Sequence, residues 1–366
     1  MIKSVVRRLA VVAVAGALSA TGAGSTAHAA TAGEPREAAC PPAATAIGFS
    51  DALDKTTAGT TKVGGLSALA YDRRTREYVS VEDRSGTDAA RLFFFHDPAK
   101  PEITRTLALT KQDGTAYDVG NFDGEGVAVL PDGDYLVSSE TEPSIMVFDR
   151  TGRQRGSLEV PARFRIAPNG EGADNAGLEG LSVSPDGRHV FAAMEGTLSG
   201  DKPATGEAVW RRLLVYRAEH HGGGYALTRQ IGYRVDPGNR IAEVAAYGDG
   251  RLLVMEAAYD AAMGNSVRLY AVHGADRASD VSAVRDLSAA PSRAVVRKEL
   301  VSDLVHCPSL GATSPEPQTN PLMDNYEGLQ VDVSDGRHRA RLHLISDDNF
   351  NTLQVTRVLT LTARLP

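Results

Sequence analysis

The feature that most constrains this chain is a short acidic motif that recurs along it. Four segments align on inspection: Gly124-Glu125-Gly126-Val127-Ala128-Val129, Leu178-Glu179-Gly180-Leu181-Ser182-Val183, Ala242-Glu243-Val244-Ala245-Ala246-Tyr247 and Tyr326-Glu327-Gly328-Leu329-Gln330-Val331. A fifth, Gly64-Gly65-Leu66-Ser67-Ala68-Leu69, keeps the frame but has Gly64 where the glutamate would stand. Each is followed by a turn aspartate: Asp72, Asp132, Asp186, Asp249 and Asp335, mostly as Asp-Gly. Asp-Gly between apolar runs is a strong hairpin signal. Beyond each turn a second apolar strand ends in acid, at Glu82-Asp83, Glu140, Glu195, Glu256 and Asp347-Asp348.

Third strands follow at Ser144 to Phe148, Leu213 to Arg217 and Val267 to Val272. Fourth strands fit Ile103 to Leu109, Arg153 to Val160, Tyr225 to Tyr233 and Ala294 to Val301. A four-stranded antiparallel unit repeated in this way is the pattern of an all-β protein, a β-propeller. One such unit cannot bury both faces by itself, so neighbours must stack. Five repeats are visible and a sixth, degenerate one is left open. The last repeat has three strands, ending at Val355 to Leu361. Its fourth is expected from Ala44 to Phe49, which closes the ring with both chain ends in one blade. Gly196 to Glu207 and Pro308 to Pro321 read as insertions. No helical periodicity exceeds a turn or two, so residues 30–366 read as a single domain.

Residues 1–29 read as a signal peptide. Lys3, Arg7 and Arg8 precede an apolar run from Leu9 to Ala20, and Ala27-His28-Ala29 offers a small-x-small cleavage pattern. The run is too short to span a bilayer. Secretion in soluble form is the expectation, and in an oxidising compartment the two cysteines, Cys40 and Cys307, should pair. The formal net charge of -7 falls to about -10 when the three basic signal residues leave. That balance argues against nucleic acid or an anionic membrane as partner. A monomer acting on a small molecule is the expectation.

Hairpin geometry places the start of each first strand beside the end of the second. Glu125 should therefore lie near Glu140, Glu179 near Glu195, Glu243 near Glu256, and Glu327 near Asp347. If first strands line the axis, these acids meet at one mouth of the channel, with Asn121, Asn175, Asn239 and Asn325 on the same rim. Like charges in poor solvent raise their pKa values or recruit cations. Oxygen-only donors select a hard ion, and Ca²⁺ tolerates irregular geometry best. The candidate ligands are Glu125, Glu140, Glu179, Glu243, Glu256, Glu327 and Asp348. Arg84 and Arg240, close to the rim, would neutralise charge or grip an anion. The plainer reading stands beside it: a repeated Glu-Gly can simply hydrogen-bond to the next blade, with glycine permitting close approach.

Other signals are weak. The histidines show no zinc-hydrolase spacing, and no G-x-S-x-G elbow is present. His220-His221 reads as a solvated pair and Gly222-Gly223-Gly224 as a turn. Phe93-Phe94-Phe95 reads as strand core, and Trp210 as packing between blades.

The repeated acidic-Gly-Leu starts, the Pro185-Asp186-Gly187 turn leading to Glu195, and Asn325-Tyr326-Glu327-Gly328-Leu329 with Ile345-Ser346-Asp347-Asp348-Asn349-Phe350 resemble the secreted bacterial phytase-like family. The resemblance runs over about residues 60 to 362 and implies a propeller hydrolase acting on phosphate or other esters, with Ca²⁺ as an expected cofactor. Gly64 departs from full rotational equivalence. On this reading, rim carboxylates hold Ca²⁺ against a small anionic ester substrate. Glu195 or Asp347 is the general base, and Arg84 or Arg240 stabilises developing charge. A lactonase-type propeller enzyme and a non-catalytic extracellular scaffold are the alternatives.

Overall fold

The turns and apolar strands of the repeats fold as four-stranded antiparallel sheets. The computed structural model describes residues 39–366 apart from 84–88, 119, 204–205, 220–223 and 334–338. Arg84, the His220-His221 pair, Gly222 and Gly223 of the glycine turn, the Asp335 turn and the N-terminal segment lie outside the described residues.

Blade I consists of Ala70–Asp72, Glu77–Val81, Arg91–Phe95 and Ile103–Ala108. Blade II consists of Gly124–Val129, Tyr135–Ser139, Ser144–Phe148 and Gln154–Leu158. Blade III runs through Leu178–Val183, His189–Met194, Trp210–Ala218 and Tyr225–Arg234. Blade IV runs through Arg240–Gly248, Arg251–Asp260, Gly264–Val272 and Lys298–Asp303. Blade V takes Tyr326–Val333, Arg339–Ser346 and Val358–Arg364 from the C-terminal end, and Ala44–Ser50 from the N-terminal end. First strands adjoin one another in the order I to V and back to I, so five blades close the ring.

The closing strand is the expected one, paired from Ala44 against Ala363 to Ser50 against Val358. Ahead of it, Ala39–Cys40 adds an outer fifth strand. Pro41 and Ala43 then bond to blade IV through Asp303 N–H to Pro41 O at 3.0 Å and Ala43 N–H to Val301 O at 2.9 Å. The Cys40–Cys307 disulfide ties the same two blades across 267 residues.

Two strands start later than their apolar runs suggest. Blade IV's fourth strand begins at Lys298 rather than Ala294, because Ser292–Ala294 forms a 3-10 turn after Pro291. Blade V's third begins at Val358 rather than Val355. The amides of Val355 and Thr356 are already taken by the carboxylates of Asp324 and Asp54.

The core lies between blades. Val79, Val81 and Phe94 of blade I pack with Val127, Val137 and Phe148 of blade II, while Phe93 and Phe95 turn the other way onto Ile345 and Val358 of blade V. Alternation along one strand thus divides the three phenylalanines between two layers. Trp210, half-buried, packs between blades III and IV.

At the axis the first strands approach too closely for side chains at the motif glycines Gly126, Gly180 and Gly328. A Cβ on Gly126 would stand 2.4 Å from Glu179 O, and one on Gly180 would stand 2.6 Å from Val244 N. Gly126→Ala should therefore cost about 1–3 kcal/mol by overpacking, measured by chemical denaturation. Stability equal to the parent would show that the inner strands can spread.

Candidate functional site

Each glutamate of the motif sits at an irregularity in its hairpin. Pairing of first and second strands shifts register between Val137 and Ser139, between Leu178 and Leu181, between Ile241 and Glu243, and between Tyr326 and Gly328. A bulge re-aims the side chain it carries. The result is a cavity of about 410 Å³ at one mouth of the channel, lined by Asp83, Asp123, Glu125, Glu140, Asn175, Glu179, Glu195, Arg240, Glu327, Asp347 and Asn349.

Six of the eight acids that hairpin geometry pairs reach this mouth: Glu125, Glu140, Glu179, Glu195, Glu327 and Asp347. Three candidate ligands are held elsewhere by protein donors. Glu243 Oε1 accepts from the amides of Leu181 at 2.9 Å and Val244 at 2.8 Å, which joins blade III to blade IV. Glu256 is ringed by Lys298, by Tyr233 Oη at 2.7 Å, by the Asp236 amide at 2.9 Å and by Asn239 Nδ2 at 3.0 Å. Asp348 takes Lys55 and the amides of Gly65 and Phe350, each at 3.1 Å. The plainer reading of the motif therefore holds at Glu243, and the converging one at the others.

The missing glutamate of blade I has a steric cause. A Cβ on Gly64 would lie 2.6 Å from Asp348 Oδ1 and 3.0 Å from the Phe350 ring. Blade V occupies the position that an acid from blade I would need.

Asp83 and Asp123 line the mouth although the hairpin argument did not pair them. For Asp123 a signal existed: in extended backbone residues two apart share a face, and Asp123 precedes Glu125 by two. Carboxylate oxygens from Asp83, Asp123 and Glu125 lie within 4.8 Å of one another, and so do those of Glu140, Glu179 and Glu195. Arg211, buried behind Glu195, was also missed. Burial lowers its pKa to about 10, against the opposing pull of Glu195 and Glu256. Its signal was an arginine pair in the otherwise apolar run from Trp210.

Among the described lining residues Arg240 is the one basic side chain. Its Nη1 donates to Glu179 Oε1 at 2.8 Å and lies 3.2 Å from Glu195 Oε1. Its Nη2 donates to Glu327 Oε1 at 2.6 Å and to Asn325 Oδ1 at 3.0 Å. Burial alone would depress this guanidinium, but Glu327, Glu195 and Glu179 together hold it more firmly protonated than usual.

Among the described lining residues one cation faces eight carboxylates. Burial first, then the charge of Glu179, raises Glu125 well above the ordinary range. Burial and Glu195 do the same for Glu179. Asp347 is raised by burial and Glu327, and Glu195 by burial against the pull of Arg240. Glu140 is pushed up to about 7 by burial and by Glu195, although the Gly177 amide at 2.5 Å opposes the shift.

Residues 61–350 match the model of the phytase-like family, described as esterase-like activity of phytase, and the chain belongs to that family. No curated protein matches it. Solved structures with a similar chain course include the periplasmic gluconolactonase of Pseudomonas aeruginosa, at 14% identity, covering 85% of this chain and 87% of that one, with a TM-score of 0.35. A gluconolactonase of Xanthomonas campestris shows 12% identity over 88% of this chain and 91% of that one, TM-score 0.37. The hydrazine synthase of Kuenenia stuttgartiensis shows 15% identity over 85% and 70%, TM-score 0.37. Likenesses this distant say nothing of the chain's chemistry.

The raised carboxyls set the sign of the pH response. A carboxyl with an elevated folded pKa contributes stability below its unfolded value near 4.5 and loses it as the pH climbs through about 7. In chelator, the protein should lose on the order of 2 kcal/mol between about pH 5 and pH 8. Glu140→Gln should flatten that slope in denaturation curves. A protein more stable at pH 8 than at pH 5 would contradict the assignment.

Proposed function

We propose that this chain is an exported, ion-assisted hydrolase of phosphate or other esters, working at the acidic mouth. Family membership and the Cys40–Cys307 disulfide are consistent with an extracellular or periplasmic location. The observation that carries the reading is the convergence, among the described residues, of eight carboxylates and the Arg240 guanidinium at one open cavity. A purely structural ring of acids would be consumed by backbone amides, as Glu243 is.

The donor set suits a hard cation. It is all oxygen and largely anionic, and the cation would be held by Asp83, Asp123 and Glu125 or by Glu140, Glu179 and Glu195. Calcium fits an irregular carboxylate cage better than magnesium does. When bound, it supplies charge neutralisation and a Lewis acid for the ester oxygens.

The chain's own groups do the rest. Glu195 and Asp347 line the cavity, and burial raises both above the ordinary carboxylate range, which makes each a stronger base than an exposed carboxylate. Asp347 is oriented by the Asn349 amide at 2.7 Å, and Glu195 by Arg240. Arg240, about a quarter exposed, keeps donors near the space an anionic substrate would enter.

Two outcomes test this. Hydrolysis of p-nitrophenyl phosphate should vanish in excess chelator and return with calcium. Glu195→Gln or Asp347→Asn should each lower kcat by about 10²-fold or more with a small change in KM. Turnover unchanged in chelator would remove the ion from the account. Turnover of a gluconolactone with none of the phosphomonoester would move it to a lactonase.

A further inference from the structure

Blade IV departs from its neighbours twice, and the two departures touch. In blades II, III and V the acid that follows the second strand's apolar run reaches the mouth, as Glu140, Glu195 and Asp347, whereas Glu256 of blade IV does not line it. Blade IV also sends a guanidinium across the mouth. Arg240, at the head of its first strand, reaches Glu179 and Glu195 of blade III and Glu327 of blade V. The turn Asp236-Pro237-Gly238-Asn239 leads directly into Arg240. Glu256 fastens both ends of that turn with one oxygen: its Oε2 accepts from the Asp236 amide at 2.9 Å and from Asn239 Nδ2 at 3.0 Å. Its Oε1 accepts from Tyr233 Oη at 2.7 Å and from the Lys298 ammonium, which also donates to Asp236 Oδ1 at 2.8 Å. The Asn239 amide closes the turn on Asp236 O at 3.0 Å, and from the blade III side Arg211 Nη2 donates to Asn239 O at 2.9 Å.

A guanidinium that serves carboxylates of two other blades at 2.6 to 2.8 Å needs its root fixed, since a misplacement of about 1 Å takes donors out of productive geometry. A long side chain held across a cavity also loses rotamer freedom, and a backbone ordered in advance reduces that cost. We infer that Glu256 is a positioning residue for Arg240: it anchors the turn that aims the guanidinium over the mouth, and so sets where an anionic group is gripped. Glu256 thereby serves the site from outside it, not as a ligand within it. That Arg240 meets an ester anion rests on the reading proposed above; that Glu256 fixes Arg240 rests on the hydrogen bonds of the turn.

Nitrogen-15 NMR of the arginine guanidinium groups of the full chain tests the inference, with the Arg240 signals identified by their loss in Arg240→Lys. In the parent the two terminal nitrogens of Arg240 should give separate signals, because different carboxylates hold them. Asn239→Ala removes one bond to Glu256 and leaves the Lys298 pair in place. It should average the Arg240 signals toward those of a free guanidinium, and Glu256→Gln should do so more fully. In hydrolysis of p-nitrophenyl phosphate, Asn239→Ala should lower kcat/KM by about 10-fold. Added to Arg240→Met it should cause no further loss, since both changes act through one group. Arg240 signals unchanged in both Asn239→Ala and Glu256→Gln would overturn the inference, as would a comparable further loss from Asn239→Ala in the Arg240→Met background. If Glu256→Gln fails to fold, Asn239→Ala decides alone. A parent with no turnover of the phosphomonoester would remove the proposed reaction, and the guanidinium signals would still decide whether Glu256 positions Arg240.

Discussion

Ring closure forces negative side chains together, and the rest of the site follows from how that repulsion is relieved. Inner strands that nearly touch at Gly126 and Gly180 leave no room to spread the acids apart. Three kinds of relief are visible. Backbone amides absorb Glu243, lysines distant in sequence absorb Glu256 and Asp348, and Arg240 absorbs part of Glu179, Glu195 and Glu327. What is left over is held as raised pKa values at Glu125, Glu140, Glu179 and Asp347. Unrelieved charge in a concave, partly dry site is a common physical signature of a place built for something else to bind.

The same interactions that build the propeller also break its symmetry. Blade I gives up its glutamate to the Phe350 ring and Asp348, and blade IV turns its glutamate inward to the neighbouring backbone. Arginine at the head of blade IV then fills the gap. Function on a repeat fold has to come from such departures, because identical blades give identical environments.

Much of this was legible in the sequence. The hairpin rule placed Glu125, Glu140, Glu179, Glu195, Glu327 and Asp347 at one mouth because it depends on local turns and alternation, and the need to close the ring placed the strand at Ala44 in the last blade. Glu256 and Asp348 went elsewhere because their partners, Lys298 and Lys55, are 42 and 293 residues away and no local pattern announces them. Glu243 is followed by Val244 where its equivalents have glycine, and its carboxylate is held by the Leu181 and Val244 amides. Asp123 was readable from its two-residue offset to Glu125, and Arg211 from a charged pair inside an apolar strand.

The most direct measurement is diffraction from crystals grown in calcium, with anomalous data collected to locate the ion. The account predicts an anomalous peak inside the mouth, in contact with its carboxylates. A mouth closed by the acids bonding to one another, with no ion anywhere, would contradict it.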